Sequence, residues 1–125
     1  DKYYKTFTQH RSLKNYVTDA IKNPDQLPLV AEINDKIVGY FLAEIQEAPY
    51  YSSEKYIGVV ADAAVDYKYR RRGVLTELFK EALSRFKEKG VNYIELWVDA
   101  RNIPAVAAWR KLGFEDYKLR LRRAL

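Results

Sequence analysis

Residues 57–98 read IGVVADAAVDYKYRRRGVLTELFKEALSRFKEKGVNYIELWV, and the fold turns on how this stretch divides. The run from Ile57 to Val65 is apolar save for Asp62 and reads as a buried strand. After three arginines and Gly73, the residues Val74, Leu75, Leu78, Phe79, Ala82, Leu83 and Phe86 fall on one face of a helix. The charged residues Glu77, Lys80, Glu81, Arg85, Lys87 and Glu88 fall on the other, and Gly90 closes the helix. Residues 91–98 read as a second buried strand. Strand, helix and strand in this order make a βαβ unit, which requires the two strands to be parallel.

Upstream, LVAEINDKIVGYFLAEI reads as a hairpin with a strand from about Leu29, a turn at Asn34, Asp35 and Lys36, and a second strand over about 37–45. Apolar residues lie on both faces of these strands, so the sheet is expected to be covered on two sides. Residues 12–23 carry the three-and-four spacing of an amphipathic helix, with Ser12 as N-cap. Downstream, IPAVAAWRKLGF reads as a short helix with Pro104 in its first turn and Gly113 past its end. In EDYKLRLRRAL, Tyr117, Leu119 and Leu121 alternate with Lys118, Arg120 and Arg122, the pattern of a half-exposed final strand. The expected fold class is α/β (α+β), with a mixed, mostly antiparallel central sheet, one βαβ unit and flanking helices.

Composition narrows the chemistry. The chain has 125 residues, enough for a single folding unit over 1–125, with 48% hydrophobic and 31% charged residues. No apolar run approaches the roughly 18 residues that span a bilayer, so no membrane partner is expected. With no cysteine there is no disulfide and no thiol nucleophile, and no secretory signal is visible at the start, so a cytoplasmic location is expected. His10 is the single histidine, which leaves no metal-ligand cluster. Charge is uneven: residues 1–65 hold 7 basic and 9 acidic side chains, residues 66–125 hold 15 and 8. The second half faces an anion, whether nucleic acid, an acidic protein or a phosphorylated small molecule.

Spacing bears on that choice. A helix N-terminus carries unpaired amides and a partial positive charge, and no Ser, Thr, Asp or Asn stands just before Gly73 to cap it. Arg70, Arg71 and Arg72 would repel that end unless an anion lay between, and a glycine lets backbone approach it closely. The turn is either a solvated basic loop or a phosphate seat; its place inside a βαβ unit favours the seat. It matches neither the nucleoside-triphosphate loop nor the dinucleotide turn. The aromatic residues of this half sit at core spacing rather than on a stacking face, which argues against nucleic acid.

These residues resemble the GNAT superfamily of acetyl-CoA-dependent N-acetyltransferases. RRRGVL supplies its Arg/Gln-x-x-Gly-x-Gly/Ala signature, and NIPAVAAWRKLGF is similar to its second, with Asn102, Ala105, Trp109, Leu112, Gly113 and Phe114. The likeness runs from about Ser12 to the last residue and lacks the strand and helix with which the family usually begins, so the true N-terminus is expected to lie further upstream. The resemblance implies that acetyl-CoA is the cosubstrate, with no metal. Its diphosphate would lie on Arg70, Arg71, Arg72, Gly73, Val74 and Leu75, although Leu75 stands where the family carries a small residue and loosens the closest backbone approach. The strand ending at Val65 would splay from residues 91–98, and backbone groups of Ala64 and Val65 would hold the pantetheine arm and polarise the thioester carbonyl. Asn102 and Trp109 would contact the arm from the other side.

The acceptor implied is a small-molecule or peptide amine, which must lose a proton before it attacks. Asp62 falls where many family members carry an acid and is the leading base, because an unpaired carboxylate in an apolar strand is costly; the alternative is an aspartate paired with a surface lysine or arginine. Glu44 is the second candidate. Trp109 occupies the place of a tyrosine that in the family protonates the leaving thiolate, and an indole N–H has no useful acidity; Tyr117 is the substitute nearest in sequence. The reaction expected is direct transfer in a ternary complex, and the alternative is a catalytically weak acyl-CoA sensor of the same fold. The final strand's edge leaves a homodimer open.

Overall fold

The computed structural model describes residues 24–125; the helix expected over 12–23 and His10 lie outside the described residues. Four strands form one sheet in chain order: β1 (Gln26–Ile33), β2 (Lys36–Glu47), β3 (Tyr56–Val65) and β4 (Ile94–Leu96). In the first three each strand runs antiparallel to its neighbour, and β4 runs parallel to β3, as the βαβ reading requires. Helix α1 (Val74–Glu88) joins β3 to β4, and α2 (Ile103–Lys111) follows. The turn between β1 and β2 is tighter than its composition foretold. Asn34 and Asp35 take positive φ of 51° and 63°, a two-residue turn of the kind these short polar side chains tolerate, and Lys36 already pairs with Ile33.

Side chains alternate across the sheet, and the two faces have different tasks. One carries Leu29, Val38, Phe41, Ala43 and Val60 against Val74, Leu78, Phe79, Ala82 and Phe86 of α1. Burying side chains such as Leu78 and Phe86 contributes about 1.5 to 3 kcal/mol each. The opposite face carries a second buried cluster of Val30, Tyr40 and Leu42, so both faces hold buried residues, as the two-sided apolar pattern required.

Two glycines set the distance of α1 from the sheet. A β-carbon at Gly39 would stand 3.0 Å from Val74 and one at Gly58 would stand 2.9 Å from the Phe86 ring. Gly39 pairs with Val65 at the end of β3 and Gly58 lies near its start, so α1 runs back along β3 with its N-terminus over the end of that strand. The helix then stops at Gly90 (φ 76°), where Gly90 N–H donates to Lys87 and Val91 N–H to Phe86, the paired bonds of a Schellman ending. The same pair closes α2 at Gly113, with Gly113 N–H bonded to Arg110 and Phe114 N–H to Trp109.

Two expectations need correction. The strand expected over 91–98 pairs only over Ile94–Leu96, and Tyr93 and Trp97 are exposed rather than buried. The final segment is not a strand: residues 115–125 have no regular structure, and Tyr117, Leu119 and Leu121 are exposed. Alternation describes which face a strand would bury, but a strand exists only where a neighbour completes its hydrogen-bond ladder, and no described strand pairs with this one. Lys118 instead ties the segment to the β2–β3 loop, donating to the Tyr51 hydroxyl and lying over the Tyr51 and Tyr117 rings.

Candidate active site

The link from β3 to α1 is built to leave a helix end open. Asp66 starts it by accepting from Lys68 N–H at 3.0 Å, which winds Tyr67–Tyr69 into one 3-10 turn. Arg70 folds back, its Nε donating to the Val65 carbonyl at 3.1 Å and its guanidinium 5.7 Å from the Tyr67 ring centroid; Arg72 lies 5.3 Å from that of Tyr69. Arg71 and Gly73 both have positive φ, 63° and 78°. Gly73 is the N-cap of α1, without a side-chain cap, and the first helical bond is Glu77 N–H to Gly73 carbonyl at 3.0 Å. The amides of Val74, Leu75 and Thr76 therefore have no acceptor within the helix. Among the described residues, chain neighbours aside, nothing stands within 4 Å of where a β-carbon of Gly73 would lie. The acid of the first turn, Glu77, pairs with Lys80 rather than with these amides. The result is a positive helix end, unobstructed by the described residues, beside three exposed arginines.

The sheet opens beside it. β3 and β4 pair only through Gly58–Val60 with Ile94–Leu96. At that point β3 carries an extra residue: Ala43 faces Val60 and Leu42 faces Asp62, so Ala61 bulges out of the ladder. From Ala61 to Val65, alternate main-chain groups face an edge that no described strand pairs. Ala64 and Val65 lie on this free stretch, close in sequence to the open helix end, and the Val65 carbonyl is engaged by Arg70.

Asn102 and Trp109 come from α2 and have structural work of their own. Asn102 is the N-cap, its Oδ1 accepting from Ala105 N–H at 3.3 Å. The loop leading to it is braced by Asp99, whose carboxylate takes the Arg101 guanidinium at 2.7 Å and is held down at about 2 chiefly by that hydrogen bond. Trp109 is half-buried, edge-on to Phe41 at 6.3 Å and to Phe114 at 5.6 Å between centroids. It is part of the layer that α1 shares, a packing role expected of an aromatic at helical spacing.

The two candidate acids share the face opposite α1. Glu44 lies two residues along β2 from Leu42, the residue paired with Asp62, and accepts hydrogen bonds from the Gln26 and Gln46 amides. Asp62 is exposed, so the expectation of a costly carboxylate buried in an apolar strand is corrected. The bulge at Ala61 is the reason, since it turns Asp62 to the face away from the helix. Its partner is neither lysine nor arginine: Tyr40 Oη donates to Asp62 Oδ2 at 2.8 Å. Tyr40 is buried, and desolvation, then the bond to Asp62 and its charge, push the phenol well above its ordinary range. Sequence reasoning missed Tyr40; the signal it left was the single phenol inside the apolar run of β2. No cluster of His, Cys, Asp or Glu able to hold a metal occurs among the described residues, and none of their helices is long and apolar enough to cross a membrane.

Comparison with known proteins identifies the family. The sequence model of the acetyltransferase (GNAT) family matches residues 1–114, and the chain belongs to that family. It is 30% identical over 112 residues to an N-alpha-acetyltransferase of Sulfurisphaera tokodaii, covering 83% of this chain and 65% of the relative. It is 33% identical over 88 residues to the L-amino acid N-acetyltransferase AaaT of Escherichia coli, covering 70% of this chain and 52% of the relative. The chain thus spans about half to two thirds of the length of the curated relatives it matches. The structure of AAC(6')-Iy in complex with the bisubstrate analogue CoA-S-monomethyl-acetylneamine superposes with a TM-score of 0.81 at 15% identity, covering 95% of this chain and 83% of that one. At that identity the likeness is one of fold.

Proposed function

We propose that the protein transfers the acetyl group of acetyl-CoA to a primary amine by direct attack in a ternary complex. The observation that carries the proposal is the uncapped N-terminus of α1, with Gly73 in the left-handed region and no carboxylate among the described residues bonded to its amides. The coenzyme diphosphate would rest on the amides of residues 71–75, with Arg71 and Arg72 supplying charge and Arg70 bracing the turn. The pantetheine arm would lie along the edge of β3 that no described strand pairs and be held by main-chain groups of Ala64 and Val65. One of these N–H groups would stabilise the oxyanion as the amine nitrogen attacks. A proton passes from the amine to Asp62, directly or through water, the C–N bond forms, the C–S bond breaks, and the coenzyme leaves as thiolate. Glu44 is the alternative base. Without cysteine there is no thiol to carry an acyl-enzyme.

The relatives named above acetylate amines, which supports that acceptor class. A second reading, a catalytically weak acyl-CoA-binding module, draws on Trp109, whose packed indole offers no acid to the leaving thiolate. Titration calorimetry with CoA and a thiol-release assay over a panel of primary amines separate the two. Binding with release of CoA is expected; binding without release on every amine selects the second reading, and absence of binding removes both.

A further inference from the structure

The Asp62 carboxylate has one described hydrogen bond, from Tyr40 Oη to Oδ2 at 2.8 Å. Three features make that bond directional. The Tyr40 ring is buried, 8% exposed, in one cluster with Val30 and Leu42, so the hydroxyl is presented from a fixed point. Tyr40 pairs with Ala64 and Leu42 with Asp62, so phenol and carboxylate are diagonal cross-strand neighbours. The bulge at Ala61 brings Asp62 onto the face that Tyr40 occupies; unbroken alternation from Val60 would send Asp62 to the helix side. An exposed aspartate otherwise turns freely about its side-chain bonds. Here Oδ2 is held by the phenol, Asp62 as a whole is exposed, and Oδ1 has no hydrogen-bond partner among the described residues.

We propose that Tyr40 is a positioning residue for acetyl transfer: its hydroxyl fixes one oxygen of Asp62 so that the other is presented to the amine. This rests on the reading of Asp62 as the base. Geometry precedes basicity in general-base catalysis, and a misaligned base forfeits most of its effect. Because burial and the neighbouring charge keep the phenol protonated, Tyr40 acts toward Asp62 as a hydrogen-bond donor, and the proton taken from the amine goes to Asp62. The amine nitrogen, its lone pair freed, forms the C–N bond as the thiolate departs.

The test uses Tyr40→Phe, Asp62→Asn and the double variant, assayed for kcat and for the KM of acetyl-CoA and amine. It also uses the three-bond couplings of the Asp62 side chain measured by NMR in the wild-type protein and in Tyr40→Phe. Tyr40→Phe is expected to lower kcat about tenfold, a fraction of the 10² to 10⁴ a general base supplies, with the KM for acetyl-CoA unchanged. The double variant should be no slower than Asp62→Asn. The couplings should show one Asp62 rotamer in the wild-type protein and averaging in Tyr40→Phe. Wild-type rates in Tyr40→Phe, or effects that multiply in the double variant, overturn the proposal. Full activity in Asp62→Asn removes Asp62 as base and the proposal with it. If no amine is acetylated by the wild-type protein, the catalytic reading fails by itself. The couplings then still decide whether Tyr40 positions the carboxylate, and an averaged rotamer in the wild-type protein overturns that as well.

Discussion

Gly58 of β3 lies under the ring of Phe86, so close that a β-carbon would come within 2.9 Å of both Cε1 and Cζ. Phe86 is 2% exposed and belongs to the core cluster packed between sheet and helix. Gly58 is needed for space, as its φ is not among the positive ones. Gly39 does the same at the other end of α1, where a β-carbon would also meet the Ala64 carbonyl at 3.2 Å.

Substituting Gly58→Val should therefore overpack the interface and cost about 1 to 3 kcal/mol, read as a lower urea midpoint with unchanged slope. Pairing it with Phe86→Leu should recover part of the loss. A double variant less stable than both single ones would show that the contact is not steric.

At the open end of α1, Gly73→Ala places a β-carbon on a residue with φ of 78°, costing about 1 kcal/mol or somewhat more of folding stability. Arg72→Ala leaves the fold intact, because the side chain is exposed, and should weaken CoA binding about tenfold, with a shallower salt dependence than the wild-type protein. Calorimetric titration at two salt concentrations checks both. Unchanged affinity in Arg72→Ala would move the diphosphate away from this turn.

Asn102→Ala removes the cap of α2 and should cost about 1 kcal/mol, measured by thermal denaturation. Asn102→Asp keeps the cap and should restore stability. If CoA affinity follows stability across the two variants, Asn102 acts through the helix; if both weaken binding while Asn102→Asp stays stable, its amide touches the coenzyme.

The Tyr40 phenol gives a pH dependence whose sign is set by its raised folded pKa. Above the ordinary tyrosine value near 10, the unfolded chain loses this proton while the folded protein keeps it. The folded state then binds more protons, so this contribution, present in full below about pH 10, declines as pH rises. Urea midpoints at pH 9 and 11 should fall less in Tyr40→Phe than in the wild-type protein. Equal declines would mean that the phenol ionises as readily folded as unfolded.

Local signals carried the hairpin and both helices, because each rests on contacts among neighbours in sequence. Asn34 and Asp35 tolerate the turn, Gly90 and Gly113 allow the helix endings, and the absence of a cap before Gly73 was visible by inspection. Illegible were the features that depend on a partner strand. Whether residues 115–125 form a strand, how far β4 pairs, and which way Asp62 points are all decided by register, which composition does not encode. The burial argued for Asp62 failed on one bulged alanine. Tyr40 was overlooked for a related reason: a phenol in an apolar run looks like core until the residue across the sheet is known.

That alanine has an effect along the whole strand. Before it, the even-numbered Gly58 and Val60 look toward α1; after it, the odd-numbered Ala63 and Val65 do, and Ala64 looks away. The parity of β3 changes partway along its length. Shortening the strand by Ala61 would keep every side chain on its present face while straightening the ladder, so the deletion isolates the kink from the residues it displays.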